Sequence, residues 1–181
     1  MLIGKIIAAA ILFLALAPQD KLIAQEEELE PPKVFLLDTK CVNTGKGNWD
    51  ERTEDVSVGR AVYTSRFYMG AGNSFASLTC RVQPDDLLVD YQVFQLAFGM
   101  RDNDRGSPQV KVNLYINGEK AEDHSWIVSP GRGVSVFIPL FNTENISLET
   151  ICPQQSQRYC DRVYFWKASL EIALPPPEEE N

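Results

Sequence analysis

The sequence predicts an all-β fold, an antiparallel jelly-roll β-sandwich, on three observations. Apolar and polar residues alternate with a period of two in about eight or nine segments, and turn residues separate those segments. Sustained helical periodicity is absent once the N-terminal apolar stretch has passed. The four cysteines fall on or beside the alternating segments.

Taken in order, Val34 to Cys41 places Phe35, Leu37 and Cys41 on one face. Val56 to Tyr68 and Phe75 to Val82 follow, the second with Ala76, Leu78, Cys80 and Val82 facing inward. Phe94, Leu96, Phe98 and Met100 form another inward row, then Val110, Val112, Leu114 and Ile116. Asn117-Gly118 supplies a pair that tolerates positive φ in a two-residue hairpin turn. Val134, Val136, Ile138 and Leu140 precede a turn at Asn142 to Asn145, beyond which lie Ile146, Leu148 and Cys152. In the last strand the alternation reads Tyr164, Trp166, Ala168, Leu170, Ile172 and Leu174 as one inward row, with Trp166 in the core.

The chain begins as an export leader would. Lys5 gives a basic start, and Ile6 to Ala17 is an apolar run too short to span a hydrocarbon core, which takes roughly 20 helical residues. Cleavage is expected after Ala24, so residues 1–24 are read as a signal peptide and membrane insertion is not expected once it is removed. Residues 25–32 read as an acidic, proline-containing linker, 33–174 as one sandwich domain, and 175–181 as a disordered acidic tail. The whole sequence carries 17 basic and 25 acidic residues; without the leader's Lys5, Asp20 and Lys21 the balance is 15 against 24, a net charge of −9. That sign argues against nucleic acid or an anionic membrane as partner, since both require a basic field. The expected location is secreted, periplasmic or cell-surface.

Cys41, Cys80, Cys152 and Cys160 make an even set in an exported chain, which favours disulfides over zinc or redox chemistry. Of three connectivities the expected one is Cys152–Cys160, closing the polar loop Pro153 to Tyr159, with Cys41–Cys80 joining two strands far apart in sequence. On the chain-entropy model the short loop contributes roughly 2.5 kcal/mol and the long one roughly 4 kcal/mol.

Several segments recur in a recognisable order: Phe35-Leu36-Leu37-Asp38, Gly47-Asn48-Trp49, Asp55-Val56-Ser57-Val58-Gly59, and Tyr68-Met69-Gly70-Ala71-Gly72-Asn73-Ser74-Phe75-Ala76. They continue with Phe94 to Asp102, Val112 to Gly118 and Asp161 to Leu170. This order resembles the NPCBM/NEW2 family over about Val34 to Ile172. The resemblance implies a galactose-binding-like jelly roll acting as a carbohydrate-binding module, often beside glycoside hydrolases. The chain departs from the family where a histidine is usual near Asn73 or Ser74, in the looser surroundings of Trp49, and in its four cysteines.

No catalytic set is legible. The one histidine, His124, lacks a neighbouring nucleophile motif and reads as a solvated loop residue. Facing carboxylates of the glycosidase kind are not selected by any motif. A sugar site needs an aromatic face for C–H groups and planar polar side chains for hydroxyls. The candidates are Trp49, in a polar, glycine-bearing loop, with Asp55, Asn73 and Trp126. Asp102, Asn103 and Asp104 are candidate ligands for a structural calcium, a cation that takes six to eight oxygens; a hairpin turn explains the same residues. The expected function is non-catalytic recognition of a wall, matrix or extracellular glycan. The alternative is a structural or protein-interaction subunit, with a protein partner or a second copy of the chain on a sandwich that has no sugar site.

Overall fold

A computed structural model describes residues 32–83, 91–153 and 158–172. The expected leader, all but the last residue of the linker, and the C-terminal tail lie outside the described residues, which belong to one compact unit. The strands are β1 (Lys33–Phe35), β2 (Lys40–Asn43), β3 (Asn48–Val58), β4 (Ala61–Gly70), β5 (Phe75–Arg81) and β6 (Tyr91–Gly99). They continue as β7 (Val110–Ile116), β8 (Glu119–Val128), β9 (Gly133–Pro139), β10 (Asn145–Ile151) and β11 (Val163–Ile172). A short 3-10 turn, Leu36–Asp38, divides β1 from β2.

Two antiparallel sheets result. Sheet A runs β3-β4-β11-β6-β9, with β1 also paired to β11; sheet B runs β2-β5-β10-β7-β8. From β4 to β7 the chain crosses between sheets at every connection, and β8 to β11 return the same way. The quartets β4-β11-β6-β9 and β5-β10-β7-β8 are therefore a jelly roll, with β3 and β2 added at neighbouring margins. The inward rows of β5, β6, β7, β9 and β10 stand as the alternation predicts, and their side chains form one core. At its centre Phe165 stacks on Phe67 at 4.4 Å and tilts against Phe98 at 5.3 Å.

The structure revises four readings. The stretch Val56 to Tyr68 is a hairpin, not one strand, because Gly59 and Arg60 take φ of 61° and 70° and turn the chain in two residues. Trp49 is a strand residue of β3, half-buried against the core opposite Met69, not a loop residue. The strand β8 was not singled out, since its Glu119-Lys120-Ala121-Glu122-Asp123 opening carries the charge expected of a sheet edge. Its His124 is half-buried, edge-on to Trp126 at 5.8 Å, not solvated in a loop.

The fourth revision matters most. Phe165 pairs with Phe98 and Lys167 with Ala97, so Trp166 is the extra residue of a β-bulge. A bulge shifts the alternation by one residue. Tyr164 and Trp166 thus face outward while Phe165, Ala168 and Leu170 face the core.

Both disulfides pair as expected. Cys41 and Cys80 are direct partners in the β2–β5 ladder, with Cα atoms 4.0 Å apart; Cys152 and Cys160 are bonded with Cα atoms 5.7 Å apart. Paired cysteines fit an oxidising compartment.

Candidate functional site

At one end of the sandwich the β4–β5 turn, the entry to β3 and the disulfide loop meet. The loop is tied down at both margins: the Cys160 N–H donates to the Gly72 carbonyl at 3.0 Å and the Cys152 N–H to the Ser74 carbonyl at 2.8 Å. The Gly47 N–H donates to the Phe75 carbonyl at 2.7 Å, which holds the third segment against the other two. Between them opens a cavity of about 340 Å³ lined by Lys46, Asn48, Asn73, Ser74 and Tyr159, with backbone from Gly70 to Gly72.

Tyr159 supplies the aromatic surface. Its ring packs over Gly72, 3.3 Å from where a Cβ would stand, and the residue is 63% exposed. The adjoining disulfide fixes its backbone. Opposite, the Asn48 side chain lies across Gly70, 2.6 Å from where that residue's Cβ would stand. A flat ring beside two carboxamides, a hydroxyl and an ammonium can pack against a sugar's C–H face and bond its hydroxyls.

Of the sequence candidates, Asn73 lines this cavity; Trp49, Asp55 and Trp126 do not. Trp49 packs inward. Asp55 is exposed on β3 and accepts the Thr64 hydroxyl at 2.8 Å. Trp126 pairs with core residue Val112 and meets Phe98 edge-on at 5.6 Å, so it closes the core. Tyr159 and Asn48 were missed. The available signal was the single aromatic in the polar disulfide loop, directly before Cys160.

The stretch at Asp102, Asn103 and Asp104 does not fit a shared calcium site. The Asp102 carboxylate accepts the Ser57 hydroxyl, the Gly59 N–H at 2.8 Å and the Arg60 N–H at 3.1 Å. These bonds, Ser57's foremost, hold its carboxyl below the usual carboxylate range. Asp104 is buried and grips the Arg101 guanidinium at 2.9 and 3.3 Å, while Asn103 is exposed. The two carboxylates therefore serve different protein partners. Among the described residues no three His, Cys, Asp or Glu side chains gather as metal ligands.

No protein-family model and no curated protein matches the sequence. Solved structures do match in shape. A CBM51 module from Clostridium perfringens GH95, in complex with methyl-galactose, superposes with a TM-score of 0.59 at 14% identity, over 77% of this chain and 99% of that one. The CBM51-2 and INT domains of Clostridium perfringens ZmpB give 0.61 at 14% identity, over 78% of this chain and 32% of theirs. Tandem CBM51 modules of the Streptococcus pneumoniae family 98 glycoside hydrolase give 0.55 at 14%, over 84% and 50%. The chain thus spans 99% of an isolated module and 32% to 50% of these two longer structures. It has the β-sandwich fold of these carbohydrate-binding modules.

Proposed function

We propose that this protein is an exported, non-catalytic carbohydrate-binding module of the NPCBM/NEW2 kind that recognises a wall, matrix or extracellular glycan. One observation carries the reading: the disulfide-held Tyr159 ring is set beside Asn48, Asn73 and Ser74 in an open cavity at the end of the sandwich. At about 340 Å³ the cavity has the size of one or two sugar rings. The solved modules of like fold were captured with methyl-galactose and, for ZmpB CBM51-2, with GlcNAc; sugars of this neutral kind are the first ligands to try. A single site of this type binds at about −4 to −6 kcal/mol, millimolar to tens of micromolar, and gains from repetitive polymers by multivalency.

The test is a glycan array probed with the disulfide-intact protein and with Tyr159→Ala, Asn73→Ala and Trp49→Ala variants. Defined binding is expected for the parent, lost in Tyr159→Ala, weakened in Asn73→Ala and retained by whatever fraction of Trp49→Ala is folded. An array silent to the folded parent overturns the reading in favour of a structural or protein-interaction subunit.

A further inference from the structure

The outer face of sheet A carries a second groove, which shares no lining residue with the end cavity. Three independent devices build it. The bulge at Trp166 turns the indole outward. Gly99 and Gly133, directly paired across β6 and β9, leave room for it: a Cβ on either would stand 3.0 Å from the ring. The β3–β4 hairpin then brings Tyr63 to stack on the indole, centroids 4.3 Å apart and planes within 18°.

Asp102 locks that hairpin. It caps the Gly59–Arg60 turn with the three hydrogen bonds described above, and its own N–H donates to the Ser57 carbonyl at 2.8 Å. Its side chain also lies against Gly131, Oδ1 2.9 Å from where a Cβ would stand. The Ser129–Arg132 turn is pinned in return, with the Met100 N–H donating to the Arg132 carbonyl and the Gly131 N–H to the Met100 carbonyl. Hairpin tip, β6 end and Arg132 are thereby held as one frame.

The frame encloses a groove of about 460 Å³, lined by Tyr63, Trp166, Val134, Ser135 and Arg132 with glycine backbone. Arg132 is its one charged lining residue. Among the described residues no carboxylate pairs with its guanidinium, although the chain carries a net charge of −8. Two other arginines of sheet A and its connections are engaged: Arg101 by Asp104 and Glu54, and Arg162 over the Tyr68 ring. An unpaired guanidinium next to rigid aromatic surface matches a ring that presents both C–H groups and a carboxylate.

We propose that this groove is a second glycan site, selective for an acidic sugar of the uronic-acid class, with Arg132 on the carboxylate and Tyr63 and Trp166 on the ring. It is a site apart from the end cavity, and each can fail without the other.

The experiment is a titration of the 15N-labelled protein with a short oligogalacturonide and with its methyl-esterified, uncharged counterpart. The Trp166 indole N–H resonance is expected to shift with the acid form. Arg132→Gln, an exposed position that leaves folding intact, is expected to weaken that binding at least about tenfold, and esterification of the ligand to do the same. Tyr63→Ala is expected to weaken both forms, and Tyr159→Ala neither. A Trp166 resonance that stays still at saturating oligogalacturonide overturns the proposal, as does an Arg132→Gln protein that binds as tightly as the parent. Binding lost in Tyr159→Ala but kept in Arg132→Gln assigns the acidic sugar to the end cavity and equally overturns it.

Discussion

The outer faces of the two sheets differ in what they leave unpaired. On sheet B the outward polar side chains bond to one another. The Thr79 and Ser147 hydroxyls lie 2.7 Å apart, and the Thr44 hydroxyl donates to Ser77 at 2.9 Å. Alongside, Glu149 accepts from Asn113 at 3.0 Å and from the Tyr115 hydroxyl at 2.8 Å, while Ser125 donates to Asn113 at 2.7 Å. Sheet A instead interrupts its alternation, lays the Trp166 indole on a glycine pair with Tyr63 stacked on it, and leaves a guanidinium open. Polar residues alone do not make a binding face: where donors and acceptors answer one another, a ligand must displace bonds already made. Rigid apolar surface next to an unanswered charge has no such cost.

Four perturbations break or sharpen this contrast. The largest acts on the margin of sheet B. Removing the β2–β5 staple with a Cys41→Ser/Cys80→Ser double variant is expected to lower unfolding free energy by roughly 4 kcal/mol, read from urea denaturation. An unchanged midpoint would show that the ladder hydrogen bonds alone hold β2.

On sheet A, Gly99→Ala is expected to cost about 1–3 kcal/mol, since its Cβ would stand 2.5 Å from the Arg132 carbonyl oxygen and 3.0 Å from the indole. Intrinsic tryptophan fluorescence should shift with it as Trp166 is displaced. A neutral substitution would mean that the indole does not need the glycine pair.

Tyr115→Phe removes one bond to Glu149 and is expected to cost only about 1 kcal/mol, because the carboxylate keeps its bond from Asn113. Glycan binding should not move, and a change in it would show that sheet B also contributes a site.

The smallest effects separate the faces by pH. Asp102 titrates lower folded than unfolded, so the unfolded chain binds its proton first; the stability it supplies is present at neutral pH and is lost as pH falls through the folded value. Asp102→Asn should flatten that acid limb. Tyr115 is pushed up to about 12, by burial first and then by its bond to Glu149. The folded state therefore holds this proton more tightly, and stability declines as pH rises from the usual tyrosine value near 10 through about 12. The hairpin frame of sheet A is thus acid-sensitive and the network of sheet B base-sensitive. Acid and base unfolding curves for the two single variants check this, and equal sensitivity of both limbs to both variants would contradict it.

Much of the molecule was legible before any coordinates. Rows such as Val110, Val112, Leu114 and Ile116, or Val134, Val136, Ile138 and Leu140, specify strands and their buried sides because side chains alternate strictly across a sheet. Asn117-Gly118 announces its turn, with φ of 51° and 84°. Inward register was consistent with Cys41–Cys80 and a short polar loop with Cys152–Cys160; the structure shows both bonds. Asn73 lies in a segment that carries the family resemblance and lines the end cavity, whereas the half-buried surfaces of Trp49 and Trp126 face the core.

The sequence by itself determined an antiparallel sandwich, most of the inward rows and the presence of two disulfides, since each rests on local periodicity or on cysteine parity; the strand order and the cysteine pairing came with the tertiary structure. Only the tertiary structure decided which aromatics are presented. Trp166 reads as core in a strict alternation, and one unpaired residue in the β11–β6 ladder reverses it. Tyr159 gains a role because a bond to Cys152 and two backbone hydrogen bonds bring its loop onto residues 72–74. Asp102 caps a turn 42 residues earlier in the chain. Bulges and long-range caps leave composition and spacing almost unchanged, so their consequences are set by which strand lies beside which.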